Sequence, residues 1–85
     1  MNDKLDQMRD MFAKMTPKGI QLVLEGVITK RAKASEKALI FAVGLAQLKQ
    51  KNPILCEYVF VEIKLMRDGE KIIKEMRKLP IFKSV

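Results

Sequence analysis

Seventeen Lys and Arg against ten Asp and Glu give this 85-residue chain a net charge of +7, and it has no histidine. At this length one domain, 1–85, is expected, near the lower limit for folding on a single core, and 48% apolar residues argue against disorder. A single cysteine and the lack of histidine exclude a disulfide framework and the usual zinc cages and remove the commonest general base. No enzyme activity, metal or cofactor is therefore expected.

Four glycines and three prolines are few interruptions, and they favour long regular elements. Asn2 or Asp3 is placed to cap a first helix whose apolar stripe is Leu5, Met8, Met11, Phe12 and Met15. Asp3, Asp6 and Asp10 share a face of it, where acids suit the positive end of the helix dipole without any bound cation. Thr16-Pro17 is a restart signal, a cap followed by proline at the first helical position. Ile20, Val23, Leu24, Val27 and Ile28 then follow the spacing of an amphipathic second helix.

Ser35 offers an N-cap for a third helix over 36–51, the alternative being one long helix that runs across Ala34 and Ser35. Its apolar residues (Leu39, Ile40, Phe41, Val43, Leu45, Leu48) leave no polar face, which predicts the central helix of a bundle. Ala38, Ala42 and Ala46 recur every fourth residue, a stripe that would let a second backbone approach closely, from this chain or from another subunit.

Asn52-Pro53 is a second restart signal. Beyond it a heptad pattern puts Leu55, Glu62, Gly69 and Met76 at one core position and Tyr58, Leu65, Ile72 and Leu79 at the other. The competing pattern is a β-hairpin turning at Asp68-Gly69. Helical spacing of Ile72, Ile73, Met76 and Leu79 favours the helix, with a break at Asp68-Gly69 left open. Pro80 ends it, and Ile81 and Phe82 are expected to fold back onto the core. The predicted fold is an all-α compact bundle of about four helices; the alternative is α+β with a C-terminal hairpin, resembling a winged helix.

Between residues 16 and 51 seven bases face two acids, so most of the positive charge sits there. Lys30, Arg31, Lys33 and Lys37 form its densest cluster, at the junction of the second and third helices, and such residues can hold phosphates. The apolar third helix is unsuited to reading base edges. A hairpin would instead offer Arg67, Lys71 and Lys74 from a wing. Met8, Met11 and Met15 suggest an adaptable surface for a protein partner, and they join Ala38, Ala42 and Ala46 as the candidate interface residues.

A small core with neither disulfide nor metal points to a second subunit for support, so a homodimer is expected. The leading functional reading is a non-enzymatic binding or regulatory protein that recognises an unidentified protein partner through a helix face. The alternative is a basic nucleic-acid-binding protein contacting phosphates through Lys30, Arg31, Lys33 and Lys37; a structural subunit of a larger assembly is a third. The polar start Asn2-Asp3-Lys4 is unlike a signal peptide, and the longest apolar stretch, Ala38–Ala46, falls far short of the roughly 20 residues that span a bilayer. A soluble cytoplasmic protein is the expectation.

Overall fold

Two capped Xaa-Pro steps divide the chain. Thr16 Oγ1 accepts a hydrogen bond from the Gly19 N–H at 3.1 Å, and Asn52 Oδ1 accepts one from the Leu55 N–H at 3.1 Å. Each satisfies an amide that the first helical turn leaves without a backbone partner, and proline at the start of each helix forfeits nothing. The computed structural model describes residues 3–84. Among them are five α-helices: α1 (Asp3–Ala13), α2 (Pro17–Thr29), α3 (Ala34–Lys51), α4 (Pro53–Lys64) and α5 (Gly69–Met76), then a 3-10 turn over Pro80–Ser84. The described residues contain no strand, so the hairpin alternative does not hold. The N-terminal cap assigned to Asn2 or Asp3 lies outside what is described of side chains.

Helix α3 is the axis of the fold, and α1, α2, α4, α5 and the terminal turn all pack on it within a body measuring 31 × 30 × 23 Å. Its Ala38, Phe41, Ala42, Val43, Leu45 and Leu48 are buried on all sides, as its lack of a polar face predicts. Around it lie Phe12 of α1, Ile20 and Leu24 of α2, Val59 and Ile63 of α4, and Ile72 and Met76 of α5, all fully enclosed. Gly44 lets α2 come close, since a Cβ there would lie 2.6 Å from Leu24 Cδ2. Ile81 and Phe82 pack back against the core, with the Phe82 ring 5.9 Å from that of Phe60.

Two lysines fasten helix ends. Lys51 Nζ donates to the carbonyls of Ala13 at 2.7 Å and Met15 at 2.6 Å, closing the frayed end of α1 from the far end of α3. Lys37 does the same for α2, as described below.

Two expectations need correction, the start of the third helix and the heptad register. The third helix begins two residues early, with Lys33 at its N-cap and no side-chain cap; Ser35 is an exposed residue inside its first turn. The connector ends in extended backbone at Lys33, and Ala34 already packs against the core, so the helix starts there. The break left open at Asp68-Gly69 is present, so the last segment forms two helices, α4 and α5, and the described residues hold five. The break also undoes the heptad register. Cys56, Val59 and Ile63 face the core, while Tyr58 and Leu65, assigned to a core seam, point to solvent.

Gly69 explains the break. A Cβ on it would lie 2.5 Å from the Ile63 carbonyl oxygen and 2.7 Å from that of Lys64, so α5 starts in direct contact with the last turn of α4. The requirement is space, not an unusual backbone angle: among the described residues no glycine has positive φ. In α5, Ile72, Ile73 and Met76 are all buried, which helical spacing permits and strand alternation does not.

Candidate binding surface

The basic cluster at the α2–α3 junction does not act as a unit. Lys30, Arg31 and Lys33 are exposed on the connector between Thr29 and Ala34. Lys37 is 7% exposed, and its Nζ donates to the Ile28 carbonyl at 3.2 Å. That carbonyl is one of the last four of α2, which lack helical partners, and a cation there also suits the negative end of the dipole. Lys37 is thus a clamp between α2 and α3. Lys37→Met is expected to cost about 1–3 kcal/mol by leaving the Ile28 carbonyl without its donor, while glutamine at Lys30, Arg31 or Lys33 stays within about 0.5 kcal/mol. Urea unfolding of the four variants compares them directly; a Lys37 variant as stable as the others would remove the clamp. Lys49 and Lys51 sit at the other end of α3, ~26 Å from Lys33 by helical rise.

The candidate interface residues are mostly inside the molecule. Ala38, Ala42 and Ala46 are buried among this chain's own helices. Met8 and Met15 are half-buried and pack on the core; Met11 alone of the three is exposed. Helix α1 is held by Phe12, which is fully buried, and by the Lys51 clamp.

A different face is open. On α4 and its C-cap, Ile54 is 83% exposed, Tyr58 57%, Val61 44% and Leu65 80%. Their spacing of four, three and four residues confines them to an arc of about 60° on the helix, directly opposite the core-facing Cys56, Val59 and Ile63. The outermost strip of α4 is thus a continuous apolar line. Leu22, also largely exposed, lies on α2, which packs beside α4. The strip is visible in the sequence as spacing, but the heptad pattern places Tyr58 and Leu65 in the core because an amphipathic helix normally buries its apolar stripe.

Two grooves lie elsewhere on the surface, of which the first touches α4. Lys64, Lys71, Lys74 and Arg77 surround an open hollow of about 660 Å³ between α4 and α5, with Glu70 and Ile73 completing its lining. Lys64 Nζ stands 5.5 Å from the Phe60 ring centroid, a cation–π distance. Leu5, Arg9, Leu39, Leu79, Pro80 and Ile81 line a smaller, more apolar groove of about 380 Å³.

Between α2 and α4 two carboxylates meet, Glu25 and Glu62, which sequence spacing could not bring together. The Lys18 ammonium reaches Gln21 Oε1 at 3.5 Å, and Gln21 Nε2 donates to Glu25 Oε2 at 3.2 Å. Glu62 Oε1 is shielded from solvent without a hydrogen-bond partner. Loss of hydration raises the Glu62 pKa above its ordinary 4.5, and its hydrogen bond to Glu25 and that residue's charge push it the same way. The folded state therefore holds the Glu62 proton more tightly than the unfolded chain. Stability from this pair is complete below about 4.5 and is lost as pH rises through the raised value. Glu62→Gln is expected to match the parent in acid and to become progressively more stable than it towards neutral pH. Melting curves across that range test this; a difference that does not change with pH would contradict it.

Cys56 is buried, its Sγ donating to the Leu45 carbonyl at 3.4 Å, and burial pushes the thiol pKa up against the opposing pull of Lys49. This is the environment of an inert packing thiol. Among the described residues no group of three or more Cys, Asp or Glu converges as a metal site would require, and no helix is long and apolar enough to cross a membrane. No family model matches the sequence, and no curated protein or solved structure is similar to it at a significant level.

Proposed function

We propose that the chain is a small non-enzymatic binding protein that recognises another protein chain through the outward face of α4. The supporting observation is the line of Ile54, Tyr58, Val61 and Leu65, apolar side chains held in water on the side of α4 away from the core. Singly exposed apolar residues are ordinary on protein surfaces, whereas an aligned set on one helix presents a contiguous patch of the kind that binds other chains. An apolar helix face laid into a groove or against a second helix gains about 25 cal/mol for each Å² of apolar surface removed from water. Basic residues at the ends of the body add attraction to acidic partners and little directional specificity. The enclosed, unpaired Cys56 fits a reducing, cytoplasmic setting.

Site-specific photo-crosslinking tests this reading. A benzophenone side chain at Val61 in the intact protein is expected to capture a protein neighbour in cells, and to lose that adduct when Leu65→Glu is added. The same probe at Gln50, an exposed position at the end of α3, serves as the control. Equal capture at both positions, or none at Val61, would overturn the assignment.

A second reading is phosphate binding, favoured by the gathering of Lys64, Lys71, Lys74 and Arg77 around one groove and by the exposure of Lys30, Arg31 and Lys33. Contacts of this kind weaken steeply with salt, because each neutralised phosphate releases counterions, whereas apolar docking changes little. Anisotropy titrations of random-sequence DNA and RNA at roughly 50 and 200 mM salt separate the two.

A further inference from the structure

We propose that the occupant of the α4 face is a second copy of this chain, docked antiparallel, α4 on α4, about a twofold axis passing between Tyr58 and Val61. The inference rests on the reading of this face as a docking surface and names its partner.

The strip is self-complementary. Its spacing of four, three and four residues is the same read in either direction, so an antiparallel pair sets Ile54 against the partner subunit's Leu65 and Tyr58 against the partner subunit's Val61. Both contacts recur through the twofold, as an isologous interface requires. The same alternating spacing is what lets two helices interdigitate along a seam.

The flanking charges choose the direction. Glu57 and Lys64 are exposed and seven residues apart, so they line the same edge of the strip. In the antiparallel arrangement Glu57 meets the partner subunit's Lys64 and Lys64 meets the partner subunit's Glu57. A parallel arrangement sets the Glu57–Lys64 edge of one copy against the opposite edge of its partner, so neither pair forms.

Net charge points the same way. Within residues 53–65 there are two acids, Glu57 and Glu62, and one base, Lys64, so this segment carries −1 on a chain of +7. Two copies meeting at this segment do so without opposing positive fields. Contact confined mainly to one helix per copy belongs to the small end of stable interfaces and gives a reversible pair.

Sedimentation equilibrium of the whole chain tests the pairing. The average mass is expected to rise from 9.8 kDa towards twice that value as concentration increases. Leu65→Glu is expected to hold the monomer mass throughout. Glu57→Lys is expected to weaken pairing on the order of 10-fold, and adding Lys64→Glu to restore it, since the exchanged charges again face each other. All these positions are exposed, so the variants keep the helical fold, and circular dichroism of each verifies that. A parent chain that stays monomeric at every concentration, a dimer that survives Leu65→Glu, or a double variant that fails to recover would each overturn the pairing. The Val61 crosslink separates this failure from that of the docking surface itself. An adduct with a different protein keeps the surface and removes the self-pair, whereas no adduct at all removes both.

Discussion

Phe41→Ala is expected to cost about 3–5 kcal/mol and to lower the Tm by at least about 12 °C. The total stability of an 85-residue chain is only about 4–13 kcal/mol, so this one truncation removes a large share of it. Phe41 is fully enclosed on α3, the helix that every other element packs against, so losing its ring leaves a cavity at the centre of the core. Tyr58, an aromatic of similar size, is the matched control. It stands on the outward face of α4, and Tyr58→Ala in dilute solution is expected to stay within about 0.5 kcal/mol of the parent. Thermal unfolding followed by circular dichroism reads both. Similar shifts for the two would mean that α3 is not the centre of the core or that α4 is not turned as described.

The second large effect is at Gly69. Alanine there places a carbon 2.5 Å from one carbonyl oxygen of α4 and 2.7 Å from the next, and neither obstacle is a side chain that can swing away. The α4–α5 junction has to open, at a cost towards the upper end of about 1–3 kcal/mol. Gly26 is the internal comparison: it is exposed on α2, and a Cβ would meet nothing within 4 Å. Gly26→Ala is expected to stabilise by about 0.4–1 kcal/mol, through helix propensity and a less flexible unfolded chain. Opposite signs at two helical glycines are the expected outcome of urea titrations on both variants. A neutral Gly69→Ala would contradict the close packing of α5 on α4.

What the sequence made legible was local. Thr16-Pro17 and Asn52-Pro53 mark helix starts because a cap and a proline act within one turn, and both caps form. The apolar circumference of α3 marked it as central, since burial on all sides is the only way to satisfy such a helix. The ends of α3 and the fate of the last third were less legible because they depend on contacts distant in sequence. Ser35 is a good cap by type, but Ala34 already packs on the core and the helix begins before the serine. Asp68-Gly69 carried a turn signal, and its actual role is a close approach between two helices that no local rule describes.

The binding surface was harder still. Lys37 looked like one more cation in a phosphate-binding cluster, and only folding shows that its ammonium is spent on the Ile28 carbonyl. Glu25 and Glu62 are 37 positions apart in the numbering and meet only because α4 folds back on α2. The outward strip on α4 has a helical period that sequence alone reads as core. Which of two apolar faces of one helix turns inward is decided by the neighbouring helices, and here Cys56, Val59 and Ile63 took that side.

Tyr58 is the only tyrosine in a chain without tryptophan, so the intrinsic fluorescence of the protein reports from the centre of the proposed interface. Quenching of that emission by iodide, measured from dilute to concentrated protein, addresses the central claim that the outward face of α4 is covered by a second copy of the chain. The account predicts that quencher access falls as concentration rises and that Leu65→Glu abolishes the fall. Access that stays constant over the whole range in the parent chain would contradict it.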